Sequence, residues 1–219
     1  MSAVGEASIV LERSVLLAFV PVAVALILAP GPDSVYTLTR SVSDGRTVGV
    51  AAALGTSTGI VVHTTAAVLG LSALLRASAT AFGVVKVVGA AYLVYLGVQT
   101  LRRPEEFDVD AASTGLAPAE AYRNALAINV LNPKVAVFFL AFLPQFVRPG
   151  GSPAAQILGL GVLYAVIVVV YMTALAVFSA RARRAIVERE RVQTALRWAS
   201  GSVLVGFGVE LALSRGASS

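Results

Sequence analysis

Residues 14–33 read SVLLAFVPVAVALILAPGPD, and this stretch decides the fold. Ser14 to Pro32 carries no charged side chain, and Asp33 follows at once. A bilayer's hydrocarbon core is crossed by about 20 mostly apolar residues. A run apolar on every side is not the surface helix of a soluble domain. This run ends in Pro30-Gly31-Pro32. Each proline removes a backbone donor and disrupts the preceding turn, and the glycine between them eases unwinding. The stretch therefore predicts a membrane span broken at Pro30–Pro32, with a carboxylate at the break. Backbone groups freed within a bilayer must be satisfied by protein or by a water-lined cavity. A carboxylate placed there is a candidate functional group, Asp33.

The whole chain has the same character. It has 219 residues, 57% hydrophobic and 13% charged, with a mean hydropathy of +0.83. Soluble domains are about 45–50% apolar and about 25% charged. The balance excludes a disordered chain, a collagen-like fibre and a disulfide-stapled domain, and it argues against a soluble enzyme. No cysteine is present, so thiol nucleophiles and thiolate metal sites are ruled out. Long uncharged or nearly uncharged stretches separate clusters of charge. They predict six transmembrane helices near 14–40, 47–75, 80–101, 120–147, 153–180 and 195–213. The expected fold is an all-α membrane protein forming one domain over 1–219. Arg13 and the apolar run after it have the flavour of a signal peptide. That run continues into Pro-Gly-Pro without a small-x-small site, so cleavage is not expected.

Arginine and lysine in the loops set orientation. The loops after the first, third and fifth spans hold eleven arginines, and the opposite side holds four. Both termini are expected outside a plasma (inner) membrane. The net charge of +5 is then the normal excess of cytoplasmic loops, and no nucleic-acid partner is expected. Residues 104–118 are short, acidic and rich in small side chains, and read as a mobile cytoplasmic loop. Residues 181–197 mix Arg and Glu with aliphatic side chains and read as a helical extension. Its arginines would meet anionic lipid headgroups or face solvent as a charged turn.

A second break lies at Asn132-Pro133-Lys134, with Asn129 one turn earlier. Lys134 sits near the middle of its span, too deep for easy snorkelling. A buried ammonium needs a partner or loses its proton, and Asp33, at a similar break, is the expected one. A break in the first and fourth spans predicts two repeats, about 14–101 and 120–213, joined by a linker at 102–119. Three spans per repeat force the second copy to run inverted, as in many secondary transporters. His63 is the sole histidine. It shares a face with Ala51, Gly55, Gly59 and Ala67, and small residues at this spacing allow close helix packing. His63 thus faces the bundle, as a packing residue or as a proton relay with Asp33. Gly55-Thr56-Ser57-Thr58-Gly59 matches a hydrolase pattern, but that motif needs a strand-to-helix elbow and here lies within an apolar helix. Lys86 and Glu210 are expected to snorkel, and Tyr92 and Tyr95 to join the core. With one His, two Met and no Cys, no metal or other cofactor is expected.

These residues also carry a resemblance. Ala29-Pro30-Gly31-Pro32 is one part, and Gly45 with Gly49 and the long glycine-containing second span another. The third is Gly89-Ala90-Ala91-Tyr92-Leu93-Val94-Tyr95-Leu96-Gly97, and the fourth runs from Asn129 through Phe139 and on to Phe142-Leu143-Pro144-Gln145-Phe146. In this order and spacing, from about Leu17 to Leu213, the chain resembles the LysE/RhtB amino-acid exporter family. The resemblance implies a secondary transporter of about six helices that exports amino acids or similar metabolites, coupled to the proton gradient. The family's first break often carries Asn or another polar residue where this chain has Asp33. The resemblance thus reaches the position, and the carboxylate's role is inferred from chemistry.

The resulting expectation is a secondary efflux carrier working by alternating access, not an enzyme. Its substrate site would comprise Pro30, Gly31, Pro32, Asp33, Asn129, Asn132, Pro133 and Lys134. A zwitterion's carboxylate suits Lys134 and exposed helix N-terminal amides, and its ammonium suits Asp33. Expected partners are the small-molecule substrate and membrane lipid, with a homodimer left open. The rival readings are an inorganic-ion exporter and a membrane scaffold that transports nothing.

Overall fold

The computed structural model describes residues 12–29, 31–77, 79–102, 113–148, 152–182 and 189–213. Pro30, singled out above, lies outside them. The described residues are helical apart from short connectors. In order these are α1 (Arg13–Leu28), α2 (Pro32–Ser43), α3 (Arg46–Ala77), α4 (Ala79–Arg102), α5 (Pro118–Val130) and α6 (Pro133–Val137). A π-helical turn (Phe138–Phe142) and a 3₁₀ turn (Leu143–Phe146) continue α6. Then come α7 (Pro153–Val177), α8 (Ser179–Ala182) and α9 (Glu190–Leu213).

Proline sets several starts. Pro32, Pro118, Pro133 and Pro153 stand in the first turns of α2, α5, α6 and α7, where the missing donor costs nothing and φ is preset. Gly45, at φ +95°, ends α2 in a conformation that disfavours other residues. Both expected breaks are present. α1 and α2 meet at 55°, and α5 meets the α6 segment at 50°. Among the described residues three helical stretches are long and apolar enough to cross a membrane: Arg46–Gly70, Pro153–Val177 and Arg191–Leu213. Counting each bent pair as one span makes five. The remaining expected span falls on α4, which is not among these stretches.

The long α3 is central and packs on α2, α5 and α7, while α4 pairs with α9. Small residues let these helices touch. A Cβ on Gly97 would come 2.7 Å from the Val205 backbone nitrogen, and one on Gly208 would come 2.8 Å from the Ala90 carbonyl. Lipid tails are as apolar as leucine, so such close van der Waals packing is what binds helices in a bilayer. Of the expected face of α3, Gly55, Gly59, His63 and Ala67 are buried and Ala51 is half-buried. Inside, Phe138 meets Phe19, Phe142 and Tyr164, with ring centroids 5.1–6.2 Å apart.

Two expectations fail. Lys86 does not reach outward: it is buried, at 7% exposure, because α4 presents it to the bundle. Tyr95 is not in the core but 58% exposed. Of the loop expected to be mobile, 104–112 lie outside the described residues, and residues 113–115 are held to the end of α2 by hydrogen bonds to Asp44.

Candidate functional site

The two breaks meet. Asp33 stands in the first turn of α2 and is buried. Its Oδ2 accepts from Asn132 Nδ2 at 2.7 Å, and its Oδ1 accepts from Asn129 Nδ2 at 3.2 Å. Asn129 ends α5 and Asn132 caps α6, its side-chain oxygen accepting from the Lys134 backbone N–H at 3.0 Å. The 50° bend between α5 and α6 is what turns both amides onto one carboxylate. Lys134 points its ammonium at the other break. Nζ donates to the carbonyls of Ala29 (3.1 Å) and Leu26 (3.4 Å) at the end of α1.

Charge and helix polarity agree. The carboxylate sits at the positive N-terminal end of α2 and the ammonium at the negative C-terminal end of α1. Asp33's hydrogen-bond partners are therefore amides, while the charge of Lys134 reaches it through space. The direct ion pair expected from the sequence is replaced by this crossed arrangement. Gly31 is fully extended, and a Cβ there would lie 3.0 Å from Lys134 Nζ, so glycine makes room for the ammonium.

Asp33 and Asp44 are eleven residues apart on α2, as are Pro118 and Asn129 on α5. At 1.5 Å per residue each interval is about 16 Å. The two half-helices thus carry their polar groups equally deep from one common end.

His63 reaches the same cluster from α3. Its Nε2 lies 3.0 Å from the Asn129 carbonyl, and a carbonyl only accepts, so Nε2 carries the proton. The ring stacks on Phe139 at 5.8 Å. Gly59, one turn before His63, admits Asn129: a Cβ there would lie 2.8 Å from the Asn129 Cβ and Cγ and closer still to its Oδ1.

Gly31, Asp33, Asn129 and Lys134 line a cavity of about 20 Å³. A single water fills a space of about this size. Its walls include Leu26, Ile27, Ile60, Val135, Val168 and Met172, with Ser34, Thr56 and Tyr164. Of the residues expected from the sequence, Gly31, Asp33, Asn129, Asn132, Lys134 and His63 converge here, with Pro32 and Pro133 starting the helices beside them. Sequence reading missed Tyr164 and Thr56. Tyr164 lies in an uncharged span that nothing marks. Thr56 belongs to the hydrolase-like pattern, whose Ser57 donates to the Ala53 carbonyl at 2.8 Å as an ordinary helix residue.

Comparisons with known proteins place the chain in a family. Residues 24–215 match the family model described as LysE type translocator. A homoserine/homoserine lactone efflux protein of Salmonella typhimurium is 34% identical over 190 residues, covering 87% of this chain and 92% of that protein. An uncharacterized membrane protein of Vibrio cholerae is 33% identical and covers 94% of this chain and 100% of its own. A leucine efflux protein of Salmonella choleraesuis is 32% identical over 126 residues, 57% of this chain and 59% of that protein. No solved structure matches. With one model spanning most of its length and relatives above 30% identity end to end, this chain belongs to the LysE type translocator family.

Proposed function

We propose that the chain exports neutral amino acids or closely related metabolites from the cytoplasm across the plasma membrane, by proton-coupled alternating access. One observation carries the reading: a buried carboxylate and a half-buried ammonium flank one small cavity where two broken helices meet. A zwitterion offers the complementary pair, and aliphatic walls suit an uncharged side chain. The relatives named for homoserine and leucine efflux support this class.

The architecture proposed is a 3+3 inverted repeat of six spans with both termini external. Exchanging the halves takes α3 to α7 and α4 to α9. The packings α3–α7 and α4–α9 map onto themselves and α2–α7 onto α3–α6, as a repeat requires, while α3–α5 is far more extensive than its mirror α1–α7. A depth of about 16 Å along α2 is half of a hydrocarbon core of about 30 Å, which supports a midplane site. A cavity of about 20 Å³ admits no amino acid, so transport requires the halves to part.

The test is uptake into inside-out vesicles, with a panel of amino acids and inorganic ions and an imposed pH gradient. Gradient-driven accumulation of neutral amino acids is expected. Movement of inorganic ions alone, or of nothing, would replace this reading with one of its two rivals.

His63 and Asp33 are the titratable groups through which the proton would pass. The donor bond to Asn129 and the stack on Phe139 give His63 a positioning role. His63→Gln keeps a donor and removes the titration. Gradient-driven accumulation is expected to survive it, slowed only a few-fold. Loss of accumulation with substrate exchange intact would instead put the coupled proton on His63.

A further inference from the structure

Polar groups continue along α2 beyond the site. Asp33, Tyr36, Thr37, Arg40 and Asp44 recur at helical spacing on one face. Tyr36 Oη, Thr37 Oγ1 and Arg40 Nε are buried without a hydrogen-bond partner among the described residues, as is Thr56 Oγ1 in the cavity wall. Buried polar atoms are nearly always partnered. Orphans lined up from the cavity toward one end of α2 mark a route whose partners arrive when the helices part.

The far end of that route is fastened. Asp44 Oδ1 accepts from the backbone N–H of Thr114 at 2.8 Å and of Gly115 at 3.0 Å, and from Ser113 Oγ at 3.2 Å. Arg40 Nη1 donates to Asp44 Oδ2 at 2.8 Å and to Thr114 Oγ1 at 2.6 Å. Successive backbone N–H groups around a left-handed residue form a nest for an anion, and Gly115, at φ +66°, supplies that conformation. Behind it Leu116 packs with Tyr36 against Val48, Ala52, Ala121 and Ala125. The linker segment leads directly into α5. So α2 and α5 are tied at one end by Asp33 with Asn129, and at the other by Asp44 with residues 113–115.

We propose that Arg40, Asp44 and residues 113–115 form the inner gate, a clasp closing a route for zwitterionic substrate along the polar face of α2. The proposal rests on the export reading above for what passes through. Covering the Asp44 carboxylate works to raise its pKa. The Thr114 N–H, the Ser113 hydroxyl, Arg40 and Ser43 outweigh this and hold it at about 2. A depressed carboxylate holds its bonds above its ordinary range and loses them only as pH falls through the folded value. The Asp44 carboxylate therefore stays ionised at cellular pH and keeps accepting these bonds.

The chain has no cysteine, so Thr37→Cys supplies a sole thiol at a position 0% exposed. Its reaction with an impermeant thiol reagent in detergent micelles reads the gate without any substrate. Adding Asp44→Asn is expected to speed labelling at least about tenfold, the shift that losing one charged hydrogen bond brings. Gly115→Val should do the same: a Cβ there meets nothing, but a β-branched residue resists the nest's backbone. Gly115→Asn tolerates that backbone and should leave labelling slow. Leu38→Cys, in the apolar core at 1% exposure, should stay unreactive throughout. Unchanged Thr37→Cys labelling in Asp44→Asn and Gly115→Val overturns the gate, and so does an equal rise at Leu38→Cys. Failure of the gate leaves the uptake panel untouched, and failure of the panel leaves the labelling result standing.

Discussion

Asp33→Asn is expected to cut transport by roughly 10- to 150-fold while the protein still inserts, the range that loss of a charged hydrogen bond implies. The carboxylate is acceptor-only, and two amide donors already face it. An asparagine there keeps the size but must turn one NH2 toward Asn132 or Asn129, setting donor against donor. Its neutral oxygen would no longer balance a substrate ammonium out of water. Asp33→Glu restores the charge but adds a methylene beside a cavity of about 20 Å³, and overpacking of this kind is itself disruptive. Glutamate should therefore rescue little. The measurement is initial efflux rate per molecule of inserted protein. An Asp33→Asn rate equal to wild type would move the substrate site away from the breaks.

Much of this architecture is legible in the sequence because its causes are local. Pro30–Pro32 and Asn132-Pro133 interrupt the helices wherever they are placed, since a missing donor needs no tertiary partner to act. The four-residue spacing of Gly55, Gly59 and His63 fixes their common face before any neighbour is known. Gly97 and Gly208 announce a tight seam, though not that they face each other across α4 and α9.

Partner choice is different. The sequence shows one acid and one base at matching breaks, and pairing them is the simplest solution. The fold satisfies the acid with Asn129 and Asn132 and turns the base onto freed carbonyls. That outcome depends on a 50° bend and on helix rotation, neither of which is written in residue spacing. Tyr164 was hidden because an aromatic in an all-apolar span has no pattern to break. Composition alone makes residues 104–118 a loose loop, of which the described end begins at Ser113. What holds residues 113–115 is Asp44, some 70 residues away in the chain, through backbone N–H groups and the Ser113 hydroxyl, a pairing that no local pattern announces.

Lys134→Met is expected to be the most destabilising single change at the site. The thioether keeps a flexible chain of similar length in place of the lysine stem, so packing loss is small and the ammonium is what is removed. The carbonyls of Leu26 and Ala29 then lose a donor at a break where the helix supplies none. Asp33 loses the charge that acts on it through space. Deleting one member of a direct, fully buried ion pair costs about 3–5 kcal/mol; Lys134 is half-buried and acts on Asp33 through space, so the loss should fall below that range. The melting temperature of the detergent-solubilised protein should fall accordingly, and transport should be lost with it. The double variant with Asp33→Asn removes both charges and should recover much of that stability, yet transport should stay absent. That pairing of outcomes separates a charge needed for folding from one needed for the substrate. A Lys134→Met protein that melts normally would mean the two charges are uncoupled. One that transports normally would leave the substrate carboxylate to helix N-termini alone.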